Sequence, residues 1–268
     1  MQLPHLIQPE ELFTIEDRSN ITVVDMSSAG GFEHGHIDGA IAVSPRDIIA
    51  GRPPIPGKLP DKNKLQATLS EIGYHPNLHI VAVDDEGGGW AGRFLWTLEM
   101  IGHRNWSYLD GGMVAWKNEG FPTTTTENAN TPTQVEIDYV DGPRIEISEI
   151  LDALKDRETQ IWDARSPMEY AGYRSGAARA GHMPGAINCE WTSLMDANKN
   201  LRLREDALEL LESLGFEREK PIFTHCQSHH RSGFTWLAGH LLGFRSIKAY
   251  DGAWAEWGNR SDTPIEHT

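Results

Sequence analysis

The chain is written twice. Residues 79–122 align without a gap on the segment that begins at residue 220, at an offset of 141: Gly92 falls on Gly233, Gly102 on Gly243, Arg104 on Arg245, Asp110-Gly111 on Asp251-Gly252 and Trp116 on Trp257. Upstream, Gly35-His36-Ile37-Asp38-Gly39-Ala40-Ile41 echoes Gly181-His182-Met183-Pro184-Gly185-Ala186-Ile187, and Val23-Val24-Asp25 echoes Ile161-Trp162-Asp163. Self-similarity at such a spacing means two related units, with the changes of offset absorbed in loops of different length. The second copy carries extra residues around Tyr170–Ala180, and the first around the proline-rich Gly51–Pro60. Between them, Thr123 to Pro143 is rich in Thr, Asn and Pro and lacks helical periodicity, which predicts a linker laid over the surface. The expected division is a unit over 1–124, a linker over 125–142 and a unit over 143–268.

Each copy alternates short apolar runs with helical patterns, the signature of βα units and a mostly parallel sheet flanked by helices, an α/β fold. In the second copy the runs predict strands over Gln160–Asp163, Ala186–Asn188, Pro221–His225 and Ser246–Tyr250. Helices are expected over about Ser148–Lys155, Glu205–Leu214 and Ser232–Leu242.

Chemistry concentrates where one of these strands stops. Pro221-Ile222-Phe223-Thr224-His225 is followed by Cys226-Gln227-Ser228-His229-His230-Arg231, and a helical pattern opens at Ser232. A cysteine between a buried strand and a helix start meets loop N–H groups and the positive end of the helix dipole, which bring a thiol pKa down from about 8.5 to roughly 3.5–7.5. His229, His230 and Arg231 add three potential cations, so the run describes a nucleophile in an anion cradle. Two readings stand beside it: a small buried cysteine of the core, or a metal site of His225, Cys226, His229 and His230, for which no second ligand cluster is evident. Cys189, in Ile187-Asn188-Cys189-Glu190, reads as buried and inert. In the gapless alignment Cys226 faces Asp85, Arg231 faces Trp90 and Arg165 faces Ser27. The first copy thus keeps the fold and loses the chemistry.

Taken together, these residues resemble a tandem-domain rhodanese, the family of thiosulfate and 3-mercaptopyruvate sulfurtransferases, over nearly the whole chain. The resemblance rests on Asp163-Ala164-Arg165, the Gly181-His182-Met183-Pro184-Gly185-Ala186 turn, the Cys226 loop and Tyr250-Asp251-Gly252-Ala253-Trp254-Ala255-Glu256-Trp257. It implies two rhodanese-like domains, the first inactive, and a cysteine that takes a sulfane sulfur as a persulfide and passes it to a nucleophile. Cell-cycle dual-specificity phosphatases share the fold but use His-Cys-x5-Arg. Here four residues separate Cys226 from Arg231, a loop suited to a single sulfur atom rather than a tetrahedral phosphate. The content, Cys226-Gln227-Ser228-His229-His230-Arg231, is similar to the Cys-Gln-Thr-His-His-Arg loop of certain bacterial rhodaneses.

The expected site is therefore Cys226 as sulfur carrier, with Gln227, Ser228, His229, His230, Arg231 and Arg165 binding substrate. Arg231 either holds donor oxygens or braces the loop through a carboxylate. Arg165, at a strand's C-terminal end, matches an arginine that the family uses for the donor's anionic end. Asp163 is read as a structural acceptor, His36 and His182 as turn-forming, and Trp191 as a possible part of the pocket wall. The covalent persulfide needs no cofactor and no metal. The donor is a small anion, thiosulfate before mercaptopyruvate, and the acceptor is cyanide, a thiol or a protein. A persulfide carrier that serves a partner protein is the alternative. A net charge of −15 argues against nucleic-acid or anionic-membrane binding and requires a local positive pocket for an anionic donor. Two cysteines, no apolar run long enough to span a membrane and no signal-like pattern over Met1 to Phe13 lead us to expect a cytoplasmic monomer.

Overall fold

The computed structural model describes residues 3–156 and 158–268. The first two residues of the stretch read for a signal lie outside that range.

Buried, β-branched runs form the strands of each unit because both faces of a parallel sheet are covered by helices. In the first unit, β1 (Leu6–Ile7) leads into α1 (Pro9–Phe13), β2 (Ile21–Asp25), α2 (Ala29–Glu33) and β3 (Ile41–Ala42). Then follow α3 (Lys62–Glu71), β4 (His79–Val83), α4 (Gly89–Glu99), β5 (Trp106–Leu109) and α5 (Gly112–Asn118). The strands form one parallel sheet in the order β1-β5-β4-β2-β3. The second unit starts with α6 (Ile147–Asp156), β6 (Gln160–Asp163), the one-turn α7 (Pro167–Tyr170) and β7 (Ile187–Asn188). It continues through β8 (Met195–Asp196), β9 (Arg202–Leu203), α8 (Ala207–Ser213), β10 (Pro221–His225), α9 (Arg231–Leu241), β11 (Ser246–Ala249) and α10 (Ala253–Trp257). Its parallel sheet has the order β11-β10-β6-β7.

Strands and helices lie within a residue or two of their expected bounds. Two features were not anticipated. Helix α7 is set by a capping box, with the Ser166 hydroxyl and the Glu169 carboxylate each serving the other's backbone N–H. The antiparallel ribbon β8–β9 is too short to show an alternating pattern. Along residues 125–140 the chain runs over the first unit without regular structure. It is tied by Asn130 donating to the Ile72 carbonyl (2.7 Å), the Tyr139 hydroxyl to that of Pro60 (2.7 Å) and the Val140 N–H to that of Met100 (2.9 Å).

The two units meet along α4 and α9. Both helices are apolar on nearly every side, with Phe94, Trp96, Phe234, Trp236 and Leu237 all at 1% exposure or less, because each is covered by its own sheet and by the other helix. One continuous core therefore runs through both units. Gly92 and Gly233 allow this approach: a Cβ on Gly92 would stand 2.6 Å from the Gly233 carbonyl oxygen, and one on Gly233 2.6 Å from the Arg93 nitrogen.

Candidate active site at the end of β10

Strand β10 delivers Cys226 to the C-terminal edge of the second sheet, and α9 begins five residues later. The loop between them is held by its own backbone: the Cys226 carbonyl accepts from the Trp254 N–H (3.0 Å), that of Gln227 from Ala255 (2.9 Å) and that of His230 from Gly233 (2.8 Å). Within it His229 has φ +55°, a left-handed conformation that a side chain bearing a Cβ adopts only when its surroundings impose it.

Cys226 is 1% exposed. Burial drives its thiol up, but Arg231, the hydroxyl and N–H of Ser232 and the N–H of Ser228 outweigh burial and bring it below the ordinary thiol value. Ser232 Oγ donates to Sγ at 3.4 Å, which leaves that oxygen to accept from His229 Nδ1 at 2.8 Å. His229 is wholly buried and edge-on to Trp96. Burial, Arg93 and His230 hold it far below the usual imidazole range, so it is neutral. The sequence reading made His229 a potential cation that binds substrate; instead it is an uncharged link behind the sulfur.

Arg231 forms a two-pronged pair with Glu169 on α7, Nη1 to Oε2 at 2.6 Å and Nη2 to Oε1 at 2.8 Å. Burial opposes ionisation of Glu169, but Arg231 and Ser166 hold its carboxyl at about 2. Of the two roles considered for Arg231, bracing through a carboxylate is the one observed, and its charge still reaches the sulfur. Arg165 is fully buried rather than on the surface. Its Nε and Nη2 grip Asp163 (2.6–3.1 Å), Nη2 also donates to the Gly181 carbonyl (2.8 Å), and the guanidinium lies 4.1 Å above the Trp254 ring. Nη1 alone has no partner among the described residues. Asp163 accepts the Arg165 N–H as well (3.0 Å). Gln227 Oε1 is also buried and, among the described residues, unpartnered, and the extra segment of the second copy reaches it: a Cβ on Gly176 would lie 2.9 Å from the Gln227 amide.

The first unit contributes to this site. Gly57, in the proline-rich turn, abuts the Ser228 carbonyl so closely that no Cβ fits. Arg93 on α4 is buried beneath the loop, donating to the carbonyls of Gly57 (2.7 Å) and Ile48 (3.2 Å). Burial lowers it to about 10 against the pull of Asp251 and Cys226. His230 Nε2 is hydrogen-bonded to Glu86 Oε1, and its ring lies between those of Trp90 (4.4 Å, stacked) and Trp191 (5.5 Å). Arg93, Glu86, Glu169 and Ser232 escaped the sequence reading. Only the Ser166…Glu169 capping pattern offered a local clue to any of them. Cys189 is 4% exposed, and burial pushes its thiol up to about 11.

One expectation is corrected. Asp84, not Asp85, stands in the place of Cys226. Strand pairing sets Val83 beside Asp25 as it sets His225 beside Asp163, and the Asp84 carbonyl accepts the Met113 N–H (2.8 Å) as that of Cys226 accepts Trp254. Between strand and helix the two loops are equal in length, Asp84–Gly88 and Cys226–His230, and the first copy is displaced by one residue here, which the gapless alignment hid. Asp84 turns its carboxylate into its own cradle: Oδ1 accepts from Glu86, Gly87 and Gly88 (2.8–3.2 Å) and Oδ2 from Ala91 (3.0 Å). Burial and Glu86 nevertheless raise its pKa, to about 6. Asp85 instead bonds Ser28.

A family model described as Rhodanese-like domain matches the chain twice, over residues 8–119 and 146–260. A protein named thiosulfate sulfurtransferase from Pseudomonas aeruginosa is 44% identical over 98% of this chain and 97% of its own length. The sulfur carrier protein TtuD of Thermus thermophilus is 30% identical over 87% of this chain and 86% of its own. A solved structure of an Escherichia coli 3-mercaptopyruvate sulfotransferase, SseA, superposes with a TM-score of 0.83 at 24% identity, covering 94% of this chain and 99% of the other.

Proposed function

We propose, from the premise that this chain belongs to the rhodanese-like family, that it is a thiosulfate sulfurtransferase working through a persulfide on Cys226. The observation that carries this reading is the Cys226 thiol, lowered despite burial by Arg231, Ser232 and loop N–H groups. The Cys226 thiolate attacks the outer sulfur of thiosulfate; the S–S bond breaks and its electron pair leaves with sulfite. The terminal persulfide sulfur is anionic, so the N–H groups and Arg231 that favour the thiolate favour it too. Cyanide or a thiol then attacks that sulfur, and the cysteine leaves as thiolate. The sulfur rides on the protein itself, so no cofactor or metal is called for. Arg165 Nη1, buried without a partner among the described residues, is the guanidinium atom left to meet a donor oxygen. Gln227 Oε1 is likewise free, and His230 lines the approach.

Relatedness to a protein named a sulfur carrier favours a second reading, delivery of the persulfide to a protein acceptor. We assign the chain to a reducing cytoplasm because both cysteines are free thiols. No described helix is long and apolar enough to cross a membrane.

Mass spectrometry tests the reading. Thiosulfate is expected to add one sulfur atom at Cys226 and cyanide to remove it, with Cys226→Ala losing the adduct and Cys189→Ala keeping it. An adduct on Cys189 overturns the assignment. Turnover with thiosulfate and cyanide far below transfer to a protein acceptor favours the carrier.

A further inference from the structure

The acidic, glycine-rich loop of the first copy has no cysteine, yet it is built as tightly as the loop that has one. Its four N–H bonds to Asp84 supply from within the anion that the second loop must receive from a substrate. The loop is therefore fixed whatever the state of Cys226. What it presents to the second unit is Glu86, hydrogen-bonded to His230, whose ring stacks on Trp90. Gly89 closes the contact: a Cβ there would stand 2.5 Å from His230 Nε2 and 2.6 Å from Glu86 Oε1.

We propose that Glu86 is a positioning residue for the sulfur-bearing loop, supplied by the degenerate domain. The inference rests on the sulfur-transfer reading above. His230 follows His229, whose left-handed backbone needs external support. His229 in turn holds Ser232, and Ser232 donates to Cys226. Glu86 pins the one ring in this sequence that reaches across to the fixed loop. The groups facing His230 are Glu86, Trp90, Trp191 and the neighbouring His229; those facing Cys226 are Arg231, Ser232 and the Ser228 N–H, with Arg93 below. Releasing His230 loosens the donors aimed at sulfur, so the thiol loses the stabilisation of its anion.

The test uses the full chain carrying Cys189→Ala, with Cys226 labelled by iodoacetamide across pH and turnover followed with thiosulfate and cyanide. Glu86→Ala is expected to move the labelling limb up by about one pH unit and to lower kcat/KM about tenfold. Glu86→Gln, which keeps the accepting oxygen, restores both to within about threefold of the parent. Glu86→Asp keeps the charge but withdraws it by one methylene, and it reproduces most of the loss; it carries the test if Glu86→Ala fails to fold. In a His230→Ala background Glu86→Ala adds nothing. An unmoved limb in Glu86→Ala or Glu86→Asp, effects that multiply with His230→Ala, or an Asp variant like the parent beside a Gln variant like Ala overturns the proposal. A parent that labels normally but does not turn over thiosulfate overturns the sulfur-transfer reading instead, while the labelling limb still judges Glu86.

Discussion

Arg165 shows how burial changes the meaning of a residue. Its position at a strand end suggests a donor-binding cation, whose loss would raise KM. Burial makes it first the partner of Asp163, a carboxylate with no exposure that also has His225 Nε2 at 3.6 Å. Burial alone would raise the Asp163 pKa, and His225 and Arg165 bring it below the ordinary value. Removing one member of a buried pair strands the other charge, at a cost of about 3–5 kcal/mol. Arg165→Ala is accordingly expected to lose about that much stability in urea unfolding, before any effect on the donor is visible. Arg165→Lys, which keeps charge but not the fork, falls between. If Arg165→Ala unfolds at the parent's midpoint, the pair is not structural and the arginine's role lies with the donor alone.

At the scale of elements, the crossing of α4 and α9 decides the site's geometry. It sets Arg93 under the loop and brings Glu86 and Trp90 against His230. The crossing depends on two glycines because backbone meets backbone there, and backbone cannot rotate out of the way as a side chain can. Gly233→Ala should force the helices apart and cost about 1–3 kcal/mol, with a loss of turnover although no catalytic group is altered. Thermal unfolding and steady-state kinetics on the same sample check this. Parent-like values in both would mean that the crossing tolerates a methyl group and does not control the loop.

For the whole molecule, the two units act as one because neither can cover its own crossing helix. A fragment of residues 143–268 would expose Phe234, Trp236 and Leu237, all now at 1% or less, and would lose the contacts of Ser228 and His230 with the first unit. It would also lose Lys58, which bridges Asp251, Glu256 and Glu146. Such a fragment is expected to bind a hydrophobic dye, to unfold at lower denaturant and to turn over slowly with Cys226 still present. A fragment that folds and works like the full chain would leave the first unit without a structural purpose here. With a charge of −15 over the chain, the sulfur-transfer reading requires a local positive set to draw an anionic donor, and Arg93 is the member of that set that the first unit would lend.

By itself the sequence determined what is local: the duplication, the strands that end at Cys226 and at Asp163, the helix that follows, and the loss of cysteine from the first copy. Those features follow from periodicity and from neighbours a few positions apart, where chain geometry leaves little choice. Only the tertiary structure decided the partners. Glu169 reaches Arg231 across 62 positions and Glu86 reaches His230 across 144, distances over which packing alone determines who meets whom. It also decided that Asp84 stands in the place of Cys226. Equivalence between copies is fixed by hydrogen-bond register between strands, and a one-residue displacement of strand and loop leaves no trace in a gapless alignment.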